Sequence, residues 1–488
     1  MDKRRFALTL RLMTTEDDEA ILAKRFRIAS HIYNVMVKEA RKRLHKLRKD
    51  KEYKEIMKHL SISKGKYRKG DKTKLRELNR LYGLSEYDFH FYIDRGQKQY
   101  SQNIDANSRQ KIATNVWRAT DKVLYSTGKT IHFHKERNLK SISGKSNATG
   151  IRYRNEHLLW NGLDIPVRIR RNDSYARECL EHDICYCRII RRWHKHKYRY
   201  YIQILFKDIP PQKHVKKDDN IQVGIDIGPS TIAVVSSRGI ILTEMASDVD
   251  SIDADIQRLN RKLDRQRRYN NPDNYNADGT IKRQTKSFRR RWKWSKQMQK
   301  TSHRIRHLYA LRASKLKQSH FKLANEILEL GTDIYIEDMS MQGLAKRSKK
   351  TEISENTGRY KRKKRFGKSV GNHAPAMLIN ILNNKLSYMD KQLCKVNTYE
   401  TRLSQLNHLT GEYEKHELSD RWKTIGKYNV QRDLYSAFLL SHMKTQKEVD
   451  IDACYDDFDN FMKMHDAKID ELRKQKHDGH IFPSCMGI

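Results

Sequence analysis

The sequence predicts an α+β protein of several domains, and three observations carry that prediction. Apolar and polar residues alternate at the N-terminus and again between 129 and 206, the period of half-buried strands. Between those stretches, up to about Tyr125, apolar residues recur every three or four positions, the period of amphipathic helices. Beyond two consecutive prolines, Pro210 and Pro211, a second block combines short apolar strands with long basic helices. A length of 488 residues suits two to four domains at roughly 100–200 residues each.

The elements follow in order. Phe6, Leu8, Leu10 and Leu12 alternate with polar neighbours and read as one strand. Thr14 and Thr15 can cap the helix that follows. Its stripe is Leu22, Phe26, Ala29, Tyr33, Met36, Ala40, Leu44 and Leu47, with Lys and Arg on the other face. No proline precedes Pro166, which suits a helical stretch. Strands are expected at 129–134, 151–160, 184–192 and 198–206, joined by the N-terminal strand in one small barrel with the helices inserted. Cys185 and Cys187 share a strand face and read as packing thiols. The run 221–246 reads strand, turn at Gly228, Pro229 and Ser230, strand, turn at Arg238 and Gly239, strand. A helix follows with Ile252, Ile256, Leu259 and Leu263 on one face. An Asn-rich loop at 270–279 separates it from a long basic helix carrying Trp292, Trp294, Ile305, Leu308 and Leu311. A strand covers 333–337, residues 343–373 read as mobile, a helix follows Pro375, and another begins within 430–443. The segment 451–488, Asp-rich around Ile451–Asp466 and ending HDGHIFPSCMGI, reads as a tail to which the sequence assigns no role.

Lys and Arg number 101 against 59 Asp and Glu, a net charge of +42. Hydrophobic residues make up 37% and charged residues 33%. The recurring apolar patterns place the chain among folded proteins with a highly charged surface. No run of about 18 apolar residues exists, so no transmembrane helix is expected. The basic N-terminus lacks the apolar core of a signal peptide. Six scattered cysteines form neither a disulfide scaffold nor a C-x-x-C pair. The expected setting is a reducing cytoplasm, without a membrane partner. A charge of this size there points to nucleic acid.

Three acids stand out by position: Asp226 near the end of the first strand of the 221–246 meander, Glu337 at the end of 333–337, and Asp433 in the first turn of a later helix. Taken singly, each is commonplace on a protein surface. Their joint order is the layout of an RNase H-like sheet, in which acids from distant elements meet at one edge. Phosphodiester hydrolysis needs an activated water and a stabilised leaving oxygen, and two divalent ions supply both. Mg²⁺ takes a few carboxylates plus water and phosphate oxygens. In that scheme Asp226 is the shared ligand, Glu337 and Asp433 each complete one ion's shell, and Mn²⁺ can substitute.

The runs VGIDIGPSTIAVVSS, IYIEDMSMQGLAKR and VQRDLYSAFLL resemble the three RuvC motifs of transposon-encoded TnpB proteins and of the compact type V CRISPR effectors. The opening strand with RIASHIYNVMVKEARKRL, and RFGKSVGNHAPAMLINIL later, extend the resemblance over most of the chain. It implies a bilobed protein: a wedge-like β-barrel from 1–14 and 126–215, a helical recognition lobe at 15–125, and an RNase H-like RuvC nuclease domain from 216–393 and 426–450 with helical insertions. The interval 394–425 corresponds to a target-nucleic-acid-binding insertion, and 451–488 is the C-terminal tail. Many relatives carry zinc-binding cysteine pairs in that interval. Here it has none beyond Cys394, and His408 and His416 alone are poor zinc spacing. No zinc site is expected; Leu406, Leu409, Tyr413, Leu418, Trp422 and Ile425 are expected to hold the subdomain.

The implied activity is Mg²⁺-dependent, RNA-guided cleavage of double-stranded DNA flanked by a short recognised motif, in a prokaryotic, nucleoid-associated setting. The implied partners are a guide RNA of transposon or CRISPR origin and a DNA duplex, with one or two protein copies on each guide. Arg289, Arg290, Arg291, Lys293, Lys346, Arg347, Lys349, Lys350, Lys361, Arg362, Lys363 and Lys364 are candidate backbone contacts. Trp292, Trp294, Tyr360 and Phe366 are candidate stacking residues. Tyr33, Asn34 and Lys38 are candidate readers of the flanking motif. Three other readings stay open: a nuclease-inactive RNA-guided repressor, a DNA transposase on the same RNase H fold, and a generic basic RNA binder.

Overall fold

The computed structural model describes residues 4–62, 68, 70–125, 128–194, 197–211, 220–285, 287–346, 353, 366–415, 417 and 420–488. It is a mixed α+β structure that divides into two compact units, Met1–Lys213 and His214–Ile488. Among the described residues no helix is long and apolar enough to cross a membrane.

The first unit opens with β1 (Arg5–Leu12), whose Phe6, Leu8, Leu10 and Leu12 are buried. Helix α1 (Glu16–Leu47) starts in a capping box between Thr15 and Asp18, and its first turn is acidic, as the helix dipole favours. Its apolar stripe is buried along the whole length. Four helices follow: α2 (Lys51–Ile62), α3 (Asp71–Leu81), α4 (Glu86–Gly96) and α5 (Ala106–Tyr125). The remaining strands are β2 (Ser141–Ser143), β3 (Arg152–Arg154), β4 (His157–Trp160), β5 (Leu163–Arg168), β6 (Ile184–His194) and β7 (Lys197–Lys207), with α6 (Ser174–Leu180) between β5 and β6. They form one seven-stranded sheet in the order β2-β6-β7-β1-β5-β4-β3. The N-terminal strand therefore sits centrally, paired with β7 and β5. Asn147 draws the sheet ends together. Its amide bonds both backbone groups of Tyr153 in β3, and it accepts from the Cys187 thiol of β6 at 3.4 Å.

Two strand expectations in this unit fail for local reasons. Residues 129–134 form no strand, because side chains of α1 take their backbone groups. Asn34 bonds His134 in both directions, at 2.9 and 2.8 Å, and Arg41 donates to Ile131 O at 2.7 Å. The single strand expected at 151–160 is instead the β3–β4 hairpin. Asn155 and Glu156 both adopt positive φ, the geometry of a tight hairpin turn.

The second unit contains a five-stranded sheet, order β10-β9-β8-β11-β12. Strands β8 (Gln222–Ile227), β9 (Thr231–Ser236) and β10 (Gly239–Glu244) form an antiparallel meander. Strand β11 (Asp333–Glu337) adds in parallel to β8, and β12 (Cys394–Val396) in parallel to β11. Between β10 and β11 run α7 (Asp250–Asn270) and α8 (Lys296–Leu330). After β11 come α9 (Met341–Leu344), α10 (Gly367–His373) and α11 (Pro375–Ser387). After β12 come α12 (Thr398–Thr401), a hairpin of β13 (Trp422–Ile425) and β14 (Tyr428–Gln431), then α13 (Arg432–Leu440) and α14 (Ile451–His477). One sheet face, with Val223, Ile225, Ile227, Ile334 and Ile336, packs on α8 and α11. The other face packs on α13 and α14 through Ala233, Val235, Leu242, Phe438 and Phe461.

Four further expectations need correcting. Trp292 and Trp294 precede α8 in a segment without regular secondary structure and are 37% and 45% exposed, because Ser295 caps the helix only from Lys296 onward. Within 343–373, expected to be mobile, 367–373 form α10. Tyr413, expected in the subdomain core, is exposed, whereas Leu406 and Ile425 are buried. The segment 451–488, expected only as a C-terminal tail without a role, is part of the fold: α14 buries Cys454, Phe458, Phe461, Met462, His465, Ile469 and Leu472 in the core of this unit.

Candidate active site

The sheet alternation sets the first two acids. On β8, Val223, Ile225 and Ile227 face α8 and α11, so Gly224 and Asp226 face α13. On β11, Ile334 and Ile336 face the first side, which turns Glu337 to the same face as Asp226. The two strands are parallel, and the last registered pair is Ile336 with Ile225. One residue further, Glu337 and Asp226 stand side by side at the carboxyl ends of their strands.

Helix α13 supplies the third acid, and Gly224 is why it can. A Cβ on Gly224 would stand 1.9 Å from Ala437 O and 2.4 Å from Ser441 N. The helix backbone lies directly on the strand there. From that contact, two residues along β8 advance about 6.6 Å to Asp226. Four residues back along α13 cover about 6 Å to Asp433. The two carboxylates are thus carried to the same level.

Asp226, Glu337 and Asp433 line one cleft of ≈ 540 Å³, with the Gly228–Thr231 turn, Met339, Leu344, Phe366, Ser404 and Gln405 among its walls. Burial, and then repulsion from Glu337 and Asp433, hold the Asp226 carboxyl well above the usual aspartate range; Arg432 opposes this. Burial, and then Asp433, push Glu337 up to about 7. Among the described residues no group of three or more Asp, Glu, His or Cys side chains is gathered closely enough to hold a metal ion.

Three cations that the sequence did not single out also line the cleft: Lys415, Arg421 and Arg432. Arg432 donates to Asp433 Oδ1 at 3.3 and 3.2 Å and to Asp420 O at 2.9 Å. Its place beside Asp433 in sequence was the signal available. Cys485, from the chain's last residues, also lines the cleft, with Sγ 3.9 Å from Ser230 Oγ and 3.8 Å from Thr231 Oγ1.

The remaining candidates lie elsewhere. Arg289, Arg290, Arg291 and Lys293 occupy the irregular segment before α8, and none lines the cleft. Buried Asn271 and Asn274, in the loop read only as a separator, hold that segment: Asn274 donates to Arg291 O at 2.8 Å, and Asn271 bonds Lys293 N and O at 2.6 and 3.2 Å. Lys346 is exposed just beyond α9, whereas Phe366 is part of the cleft wall. Arg347, Lys349, Lys350, Tyr360, Lys361, Arg362, Lys363, Lys364, His416 and Leu418 lie outside the described residues. In the first unit, Tyr33 is buried with its ring stacked on His134 at 4.0 Å, and the Asn34 amide is spent on the His134 backbone. Neither is presented to DNA, and only Lys38 of that trio is exposed. His408 is buried too, its Nδ1 2.8 Å from the Tyr435 hydroxyl, among the rings of Phe438, Tyr455 and Phe458.

The raised acids make a stability prediction. Below 4.5, the ordinary glutamate value, Glu337 is protonated in folded and unfolded chains alike. As the pH rises the unfolded chain ionises first, so the folded chain loses stability until the pH passes about 7. Without divalent metal at pH 8, Glu337→Gln therefore stabilises the chain by about 2–3 kcal/mol, and at pH 4 it does not. Calorimetry in EDTA at both pH values checks this; an unchanged or lower melting temperature at pH 8 contradicts it.

No protein-family model matches the sequence. No curated protein matches it either. Among solved structures, the chain is similar to the protein in a cryo-EM structure of the Cas12f1–sgRNA–target DNA complex, with 9% identity, a TM-score of 0.44, and coverage of 90% of this chain and 99% of that one. It is also similar to a chain of a cryo-EM CRISPR–Cas12f ternary complex, with 13% identity, a TM-score of 0.27, and coverage of 87% and 82%.

Proposed function

We propose that the chain is an RNA-guided DNA endonuclease of the RuvC type, cutting phosphodiester bonds in the cleft of Asp226, Glu337 and Asp433. The observation that carries this reading is the meeting of three carboxylates at adjacent strand ends and one helix start, with two of them held above their ordinary range. Such a site disfavours its own full ionisation and is relieved by a bound cation. The donor chemistry suits Mg²⁺: the three acids lining the cleft offer only hard carboxylate oxygens, the ligand type that ion takes beside water and phosphate. Asp226, Glu337 and Asp433 would hold two such ions, which supply an activated water and stabilise the leaving oxygen.

The chain's own residues do the rest. Lys415, Arg421 and Arg432, which line the same cleft as the acids, offer phosphate contacts. Phe366, partly exposed in that wall, offers a stacking face for an unpaired base. Opening of the duplex would bring a single strand to the acids. Pairing with a guide RNA would open it. The resemblance of three sequence motifs to TnpB and type V effectors supports that partner, and a charge of +42 supports extensive backbone contact.

The test is the RNA that co-purifies with the protein. The expected result is a defined scaffold joined to a variable guide, bound with a steep salt dependence. Replacing the guide should redirect cutting to the new match, and EDTA should stop cutting without releasing the RNA. A heterogeneous RNA population would contradict guided cutting. Binding without cleavage would favour a repressor, and strand-transfer products a transposase.

A further inference from the structure

The C-terminal helix and the turn that ends the chain are built around one buried residue, Gln431, which precedes α13. Its side-chain oxygen accepts from Leu434 N at 2.7 Å and caps the helix whose first turn carries Asp433. Its side-chain nitrogen donates to Met486 O at 3.1 Å, so the last residues of the chain fix which way the amide points. Trp422, which pairs with Gln431 across the β13–β14 hairpin, ties down the same turn by donating to Gly487 O at 2.9 Å.

The backbone N–H of Gln431 is held by a different group. It donates to His465 Nε2, on α14, at 3.0 Å. His465 is 1% exposed, and its ring lies edge-on to Trp422. An acceptor at Nε2 requires the neutral tautomer with hydrogen on Nδ1. That hydrogen points to Asp466 Oδ1 at 2.8 Å, and Asp466 is 66% exposed. The chain Asp466–His465–Gln431–Leu434 therefore runs from the surface of α14 to the start of the helix that bears the third acid.

We infer that His465, with Asp466 behind it and the 484–488 turn beside it, is a positioning residue that sets Asp433 through Gln431. This rests on the reading of Asp433 as an acid of the nuclease site. Residues that orient metal-holding side chains commonly contribute 10–100-fold to metal affinity or activity. It also gives 451–488 a role that composition did not disclose.

The experiment compares His465→Phe, His465→Gln, Asp466→Leu, Asp466→Asn and Asp433→Asn in the full chain with its guide RNA. Four quantities are read: kcat, Kd for target DNA, Mn²⁺ binding by electron paramagnetic resonance without DNA, and thermal melting. Phenylalanine keeps the ring but leaves Gln431 N–H without its acceptor. Leucine at 466 frees the imidazole to place its hydrogen on Nε2, against that N–H. Both should lower kcat and weaken Mn²⁺ binding about tenfold, with target Kd unchanged. His465→Gln and Asp466→Asn retain an acceptor at the needed place and should recover most of the loss. A parent-like kcat in His465→Phe and Asp466→Leu, beside an inactive Asp433→Asn, overturns the inference alone. So does a His465→Gln no better than His465→Phe, which marks a packing role only. If His465→Phe fails to fold, Asp466→Leu, altered at an exposed side chain, decides. An active Asp433→Asn instead overturns the nuclease site itself.

Discussion

Asp226→Asn is expected to abolish cleavage and, in the same protein, to raise the melting temperature of the metal-free chain. The two effects share one cause. Asp226 is desolvated and faces Glu337 and Asp433, so its charge is costly until a cation arrives. Asparagine keeps the shape and removes the charge. The apo chain gains stability, most clearly at pH 8, where the carboxylates of the parent repel. The loaded protein loses the acid placed to be shared by both ions, a loss of about 10³-fold or more on the scale on which removing an essential catalytic group is felt. Guide RNA and target should bind as before. Melting in EDTA and single-turnover cleavage in Mg²⁺, on the same preparation, read both effects. A variant that cleaves like the parent removes Asp226 from the site. One that is inactive but melts lower has lost its fold, and the electrostatic explanation fails.

Gly224→Ala should be nearly as damaging, although residue 224 carries no chemistry. The added Cβ meets Ala437 O at 1.9 Å, a helix backbone atom that no rotamer change can move. Either α13 lifts from β8 or the strand retreats. Overpacking of a well-packed site ordinarily costs 1–3 kcal/mol, and a rigid backbone contact belongs at or above the top of that range, about 3 kcal/mol. The same displacement separates Asp433 from Asp226. Misplacement of catalytic groups by about 1 Å is enough for a 10²-fold loss of rate. Urea denaturation gives the first quantity and cleavage at a temperature where the variant is folded gives the second. A stable, fully active Gly224→Ala would show that the helix does not rest on the strand at this point. Asp226→Asn and Gly224→Ala are distinguished by stability: the first rises and the second falls.

Much of the second unit was legible because its signals are local. The period-2 runs in β8 and β11 mark which side chains share a face, and that alone turns Asp226 and Glu337 together. The order of motifs named Asp433, but nothing in the sequence showed that a missing Cβ at Gly224 brings its helix into range. The residues missed are those whose role is set by tertiary partners. Asn34 has the chemistry to read a base, yet its amide serves the backbone of His134, a hundred positions away in sequence. Asn271 and Asn274 look like loop filler and are buried staples. The C-terminal segment is rich in Asp on its exposed face, which dominates its composition. Its buried face, with Phe458, Phe461 and His465, is what seats it against α13. Arg421 and Lys415 lie in an interval without periodic or motif signals, so their place in the lining of the acid cleft had no sequence signature.

The most direct measurement is cleavage of a guide-matched DNA duplex by the purified chain with its RNA, in Mg²⁺, beside a duplex of scrambled sequence. Only the matched duplex should be cut, EDTA should stop the reaction, and Asp226→Asn, Glu337→Gln and Asp433→Asn should each abolish it while still binding the target. Cutting of both duplexes alike, or undiminished cutting by any of the three variants, would contradict guided cleavage at this site.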